Sequence, residues 1–121
     1  MAEVDMQSVY IVAKDIDRLS GFYVAALSMP VQFRDANKWT QFCLRRSAFA
    51  LSSAEEAAQG AVGAVPVFQI DGEARQEVDQ KILSAGGQLL GQRDMGTHGF
   101  VATYKDPEDN IFQVFSKTSP R

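Results

Sequence analysis

One order of secondary-structure signals occurs twice along this chain, and that repetition limits the possible folds more than any other feature. In the first copy, residues 8–13 are rich in β-branched and aromatic side chains, which predicts a strand. A helix is predicted next, because apolar residues recur at three- and four-residue steps between Ile16 and Leu27. Pro30 ends this helix. Three further strands are predicted, at residues 31–34, 39–45 and 48–52.

The same order returns after residues 53–64, which we interpret as a linker because their side chains are small and two of them are glycines. A strand is predicted at residues 65–70, and a helix follows over residues 74–83, where apolar side chains share one face. Gly86 and Gly87 end this helix. Three more strands are predicted, at residues 88–92, 100–104 and 111–115.

Each copy is a βαβββ module, so the pattern predicts an α+β domain with two such modules in tandem. The first strands align with an offset of 57 residues (65 − 8), which places Ser8 on Val65. One module could not bury its own sheet, and we therefore expect the two to pair around one core. We place module 1 at about residues 7–52 and module 2 at about residues 65–116, within a single domain spanning residues 1–121.

The composition argues against several classes of function. The net charge is −3, and Lys and Arg form no basic stripe, so we expect no nucleic-acid binding. No apolar run approaches the roughly 20 residues that span a bilayer, and residues 1–5 lack the regions of a signal peptide. We therefore expect a cytoplasmic protein that does not bind membranes. Cys43 is the only cysteine, so no intramolecular disulfide can form, and its apolar neighbours predict a buried, inert thiol.

Two segments near opposite ends of the chain resemble one superfamily. The first is SVYIVAKDIDRLSGFY at residues 8–23, and the second is KDPEDNIFQVF at residues 105–115. They are similar to the opening strand and Phe-Tyr helix, and to the closing Asp-Pro-Asp-Gly-Asn turn and strand, of the vicinal-oxygen-chelate superfamily. That group contains glyoxalases, bleomycin resistance proteins and extradiol dioxygenases. The resemblance implies two curved mixed sheets around a cleft, and a homodimer in which chains sometimes exchange halves.

The resemblance also implies where a metal would bind. Metal enzymes of this superfamily place four ligands, at the starts of the two first strands and within the two last strands. The matching residues here are Ser8, Ala50, Val65 and Gln113. Alanine and valine have no lone-pair donor, and serine and glutamine are weak, neutral donors, so we expect neither a metal nor another cofactor. The chain therefore resembles the metal-free, bleomycin-resistance-like branch.

Seven residues are candidates for ligand binding: Ser8, Tyr10, Phe33, Trp39, His98, Phe100 and Gln113. Alternation along the first strand predicts that Tyr10 shares a face with Ser8. Gln113 is either a hydrogen-bonded core amide or a neutral pocket contact. Trp39 fits the core, a dimer interface or a stacking platform for a flat ligand. His98, the only histidine, is a solvent-exposed loop residue or a pocket residue, and it is the one candidate for acid–base catalysis.

Three functions from different classes fit these observations. The first, which we favour, is a metal-free protein that sequesters an aromatic or cationic small molecule, such as an antibiotic or a metabolite, and needs no catalytic residue. The second is a metal-independent lyase or isomerase that uses His98. The third is a structural dimer whose pocket is vestigial and filled by its own side chains.

Overall fold

The computed structural model describes residues 7–57 and 63–117, except for the side chain of His98; residues 58–62 of the predicted linker lie outside this range. The predicted α+β fold of two tandem βαβββ modules is confirmed, with small shifts of the strand ends. The described residues form these elements: β1 (Ser8–Val12), α1 (Ile16–Leu27), β2 (Val31–Asp35), β3 (Trp39–Cys43), β4 (Ala48–Ser52), β5 (Val67–Ile70), α2 (Arg75–Ser84), β6 (Gln88–Asp94), β7 (Phe100–Lys105) and β8 (Ile111–Ser116).

The strands form two four-stranded mixed sheets. Sheet 1 has the order β1-β4-β3-β2, and sheet 2 has the order β5-β8-β7-β6. In each sheet the first and last strands of the module pair in parallel, and the other pairs are antiparallel. Tyr10 pairs with Ala50 in sheet 1, and Val67 pairs with Gln113 in sheet 2. These first-strand positions differ by 57 residues (67 − 10), so the register reproduces the predicted offset.

Helix α1 begins and ends at residues whose chemistry favours helix ends. The Asp15 side chain accepts a hydrogen bond from the backbone N–H of Arg18 at 3.1 Å, which caps the first turn. Ser28 closes the helix in the left-handed conformation, and its N–H donates to the carbonyl of Val24. Within the described ranges, neither helix has the length and apolar character needed to cross a membrane.

One aromatic core joins the two modules. Helix α1 packs against α2 and against strands β3 and β4. Tyr23 of α1 is fully buried, and its ring lies 5.1 Å from the ring of Phe49 in module 1 and 5.6 Å from that of Phe112 in module 2. Phe49 also meets Phe68 of module 2 directly, with ring centroids 5.0 Å apart. We call the face of each sheet that packs on this core its inner face, and the opposite face its outer face.

The two outer faces point away from the shared core. Side chains alternate along a strand, so Phe49 is an inner residue of β4 whereas Ala50 is an outer one. In the same way, Phe112 is an inner residue of β8 and Gln113 an outer one. Because both sheets turn their inner faces to one core, a single chain presents two separate outer faces, one from each module.

A buried carboxylate ties the two modules together. Asp106 lies in the turn between β7 and β8 and is 2% exposed. Its carboxylate accepts hydrogen bonds from the Tyr23 hydroxyl at 2.9 Å and from the backbone N–H groups of Glu108 and Asn110. Burial raises the pKa of Tyr23, and the neighbouring Asp106 carboxylate raises it further, so the hydroxyl stays a donor.

Glu108, in the same turn, caps the helix of the other module. Its Oε1 accepts the backbone N–H of Lys14 at 2.5 Å, and its Oε2 accepts that of Asp15 at 2.7 Å. Negative charge is favourable at a helix N-terminus, where backbone N–H groups lack partners. The turn between β7 and β8 is therefore also a contact between modules.

Candidate functional site

The outer face of sheet 1 is aromatic. Tyr10 on β1 and Trp39 on β3 lie on this face, with ring centroids 5.3 Å apart and ring planes at 59°. Ser8 is on the same side of β1, as alternation predicts. Phe33 on β2 pairs with Gln41 and shares its face, where Phe33 is 49% exposed. The fold thus brings four of the predicted site residues onto one surface.

Small residues on β4 allow this aromatic contact. Strand β4 separates β1 from β3, so the backbones that carry Tyr10 and Trp39 are two strand spacings apart, about 10 Å. The outer residues of β4 are Ala48, Ala50 and Ser52, and none has a side chain large enough to keep the rings apart. Ala50 pairs with Tyr10 and is 0% exposed. The rings therefore meet over the strand in which the resemblance places a metal ligand.

Side-chain amides hold the indole of Trp39 in this position. Its Nε1 donates to Gln41 Oε1 at 3.1 Å, and Gln41 Nε2 donates to Gln32 Oε1 at 2.9 Å. An amide that is bonded at both ends is restrained, and it restrains the indole in turn. Tyr10 and Trp39 therefore form a preorganised platform, which costs less to order when a flat group binds.

The outer face of sheet 2 combines apolar and polar side chains. Gln113 lies in the middle of β8, between Val67 on β5 and Thr103 on β7. Its Nε2 donates to Thr103 Oγ1 at 3.0 Å, and its Oε1 is the acceptor end of the amide. Val67 is 56% exposed, and Phe115 is the next outer residue of β8. Gln113 is therefore a partly buried amide on an open face, and not a core amide.

Three other sequence predictions concern single residues. Phe100 lies on the inner face of sheet 2, where it is 7% exposed and pairs with Ser116, so the fold does not bring it to an outer face. The side chain of His98 lies outside the described part of the structure. The prediction that Cys43 is buried is wrong, because this residue has an outer position at the end of β3 and is exposed there.

Sequence reasoning missed two side chains that shape these faces. Gln41 positions Trp39, and Val67 lies beside Gln113 on the neighbouring strand. The small residues at alternate positions 48, 50 and 52 could have predicted part of this site. They lie on one face of β4, where large side chains of the two adjacent strands can contact each other. Nothing local predicts Val67, whose exposure depends on how the sheets pack.

Family comparison agrees with this architecture. Residues 8–115 match the family model described as a glyoxalase-like domain. The chain belongs to the glyoxalase-like family. The superfamily predicted from the two motifs is therefore confirmed for this glyoxalase-like protein. No curated protein matches its sequence significantly.

Solved structures share the fold of the glyoxalase-like chain at low sequence identity. A glyoxalase/bleomycin resistance protein/dioxygenase family enzyme from Burkholderia phytofirmans PsJN is 20% identical, with a TM-score of 0.77 over 95% of this chain and 100% of that one. A mutant of the fosfomycin resistance protein FosX from Listeria monocytogenes, complexed with Mn(II) and 1S,2S-dihydroxypropylphosphonic acid, is 15% identical, with a TM-score of 0.77 over 97% and 93%. Lactoylglutathione lyase from Agrobacterium tumefaciens is 16% identical, with a TM-score of 0.76 over 96% of each chain.

The residues of this glyoxalase-like chain do not fit the metal site of the superfamily. Ala50 and Val65 stand at two of the four ligand positions and offer no lone pair. Gln113 and Ser8 stand at the other two, and each offers only a neutral oxygen donor. Across residues 7–57 and 63–117, no group of three or more His, Cys, Asp and Glu side chains could hold a metal ion. We therefore derive no metal-dependent step.

Proposed function

We propose that this protein binds an aromatic or cationic small molecule, such as an antibiotic or a metabolite, without a metal ion. The observation that carries the proposal is the Tyr10–Trp39 pair, which meets over the small residues of β4. Two tilted rings offer faces on which a flat ring or a cation binds favourably.

A second copy of the chain completes the proposed pocket. The two outer faces point in different directions, and both expose apolar side chains, Phe33 at 49% and Val67 at 56%. In a two-fold dimer, the outer face of sheet 1 in each copy would pack near the outer face of sheet 2 in the other. This packing would cover the exposed apolar side chains of both faces and create two equal pockets. The ligand would lie between the aromatic pair of one copy and Gln113 of the partner subunit, whose Oε1 accepts a ligand N–H.

Ethidium, a flat aromatic cation, is expected to quench the fluorescence of Trp39, the only tryptophan, saturably at micromolar concentration. In Tyr10→Ala the apparent Kd is expected to rise about tenfold, because the change removes roughly 1–1.5 kcal/mol of ring contact. Tetramethylammonium supplies the charge without the ring, and naphthalene sulfonate supplies a ring with the opposite charge. Both are expected to bind more weakly than ethidium in the same fluorescence titration.

Leu83→Ala is the matched control for this titration. Leu83 is 42% exposed on α2, which packs on the inner side of the chain, so its loss should leave the affinity for ethidium unchanged. If neither ethidium nor naphthalene sulfonate quenches Trp39 saturably, ligand binding on this face is rejected. That outcome would favour the structural dimer with a vestigial pocket.

If each pocket is shared between two copies, mixing two different binding-site variants should restore some intact pockets. Tyr10→Ala and Gln113→Ala each impair both pockets of their own dimer. A mixed dimer contains one pocket with both changes and one with neither. After the two variants are refolded together at equal concentration, about a quarter of all pockets are expected to be intact. Titration with ethidium measures this recovered capacity against each variant alone.

Val67→Glu tests the dimer separately from ligand binding. A carboxylate buried against an apolar surface is strongly unfavourable, so this variant is expected to sediment as a monomer at micromolar concentration. Leu83→Glu adds the same charge at another exposed apolar position and is expected to remain dimeric. A dimeric Val67→Glu protein, together with no recovery on mixing, would contradict a pocket built from both copies.

The lyase or isomerase alternative depends on His98. Its side chain lies outside the described residues, so no observation favours acid–base catalysis over binding. Lactoylglutathione lyase shares the fold at 16% identity, and that likeness concerns the architecture alone.

A further inference from the structure

A cleft on the inner side of sheet 2 is separate from the proposed pocket. It lies between α2 and strands β6 and β7, and its volume is about 530 Å³. Phe100 and Tyr104 are inner residues of β7, so the cleft is on the side of the sheet opposite to Gln113. The lining residues that matter here are Arg75, Glu77, Asp79, Gln92, Phe100 and Tyr104.

Arg75, which lines this cleft, has an unsatisfied hydrogen-bond donor. Its guanidinium carbon lies 3.6 Å from the ring centroid of Phe100, a cation–π contact that orients the group. Within the described residues, Arg75 Nη1 is buried and has no hydrogen-bond partner. The one other such side-chain atom there is Ser116 Oγ, and Ser116 is the cross-strand neighbour of Phe100. Since a guanidinium does not lose its charge, its buried N–H requires an acceptor.

Two carboxylates, those of Glu77 and Asp79, line the same cleft. The Tyr104 hydroxyl donates to Asp79 Oδ1 at 2.6 Å. Burial raises the pKa of Tyr104, and the hydrogen bond to Asp79 raises it further, so the phenol stays protonated and holds Asp79 in place. A carboxylate that accepts one hydrogen bond has room for further donors. The lining of the cleft therefore includes a cationic group with an unsatisfied donor and two anionic acceptors.

We propose that this cleft binds a small zwitterion, namely an α-amino acid or a close analogue. The carboxylate of the ligand accepts hydrogen bonds from Arg75, because the planar guanidinium fork matches a carboxylate. The ammonium of the ligand donates to Asp79. A phosphate dianion would be repelled by Glu77 and Asp79, and a simple amine would leave Arg75 unsatisfied. The site is independent of the ligand pocket proposed above, since it uses the other face of sheet 2.

Thermal-shift and NMR titrations with each standard L-amino acid test this site. At least one amino acid at millimolar concentration is expected to raise Tm and to shift the Nε–Hε resonance of Arg75 saturably. The amine and the carboxylic acid derived from that amino acid are expected to bind roughly ten- to hundredfold more weakly, because each lacks one charge-assisted hydrogen bond. In Arg75→Gln, the affinity for the intact amino acid is expected to fall by the same factor.

Arg93→Gln is the matched control, since Arg93 is exposed on the outer side of β6 and its loss should leave the affinity unchanged. If Arg75→Gln does not fold, Arg75→Lys replaces it as the test, because lysine keeps the charge but lacks the fork. We expect that variant to bind about tenfold more weakly. The proposal is overturned if no amino acid gives a saturable shift, or if full affinity survives in either Arg75 variant.

Discussion

Replacing Asp106 by alanine is expected to lower the free energy of unfolding by about 3–5 kcal/mol. The change removes the acceptor for the Tyr23 hydroxyl, for two backbone N–H groups and for the side-chain amide of Asn110, in a site that is 2% exposed. Those buried donors would lose their partner, and the polar contact between the modules would break. Urea denaturation followed by circular dichroism measures the loss, at one fixed protein concentration because a dimer is expected.

Asp109→Asn is the matched control in the same turn. The Asp109 side chain is 79% exposed and forms an ion pair with Lys105 at 3.2 Å. Exposed ion pairs contribute little, so this change is expected to alter the free energy of unfolding by less than about 0.5 kcal/mol. Equal losses in Asp106→Ala and Asp109→Asn would contradict the role that we assign to the buried carboxylate.

The pH dependence of stability provides an independent check on the burial of the Tyr23 hydroxyl beside Asp106. Tyr23 ionises near its ordinary pKa of 10.0 in the unfolded chain, whereas in the folded chain its pKa is raised. The stabilisation is therefore fully present below pH 10.0 and is lost as the pH rises, at up to about 1.4 kcal/mol per pH unit. In Tyr23→Phe, which has no hydroxyl to ionise, the free energy of unfolding should fall less steeply above pH 10.0, by up to about 1.4 kcal/mol per pH unit.

Phe49→Ala is expected to have the second large effect, a loss of about 3–5 kcal/mol in the free energy of unfolding. Phe49 is 1% exposed, and its ring contacts Tyr23 and Phe42 in module 1 and Phe68 in module 2. The substitution leaves a cavity at the point where the two modules meet, and aromatic contacts on every side are lost. The same denaturation measurement reports the change.

Phe33→Ala removes the same side chain from an exposed site and serves as the control. Phe33 is 49% exposed on the outer face of sheet 1, so its loss should cost less than about 1 kcal/mol of monomer stability. We expect it to weaken the dimer instead, which sedimentation at several concentrations measures. Comparable losses of stability in Phe33→Ala and Phe49→Ala would contradict the distinction between inner and outer faces.

Much of the fold could be predicted because its signals are local. The apolar spacing between Ile16 and Leu27 depends only on helix geometry, and the Asp15 cap bonds a backbone N–H only three residues away. The turn at Asp106 is also local, because the backbone N–H of Asp109 donates to the carbonyl of Asp106. Each of these features depends on residues within a few positions of one another.

The candidate site could be predicted only in part, because its contacts depend on sheet order and register. Tyr10 and Trp39 meet because β4 lies between their strands, and no sequence spacing encodes that order. Phe100 lies on the inner face for the same reason, since the orientation of β7 is set by its pairing with β8. Cys43 has apolar neighbours, yet its outer position at a strand end leaves it exposed.

Stability and recognition use alternate residues of the same strands in this protein. In β4, Phe49 packs in the core while Ala50 lies under the aromatic pair, and in β8 Phe112 packs in the core while Gln113 lies on the open face. Since neighbouring side chains of a strand point in opposite directions, an outer residue can change without disturbing the core. Such a chain can acquire a new ligand preference by single substitutions during evolution while its thermal stability stays nearly constant.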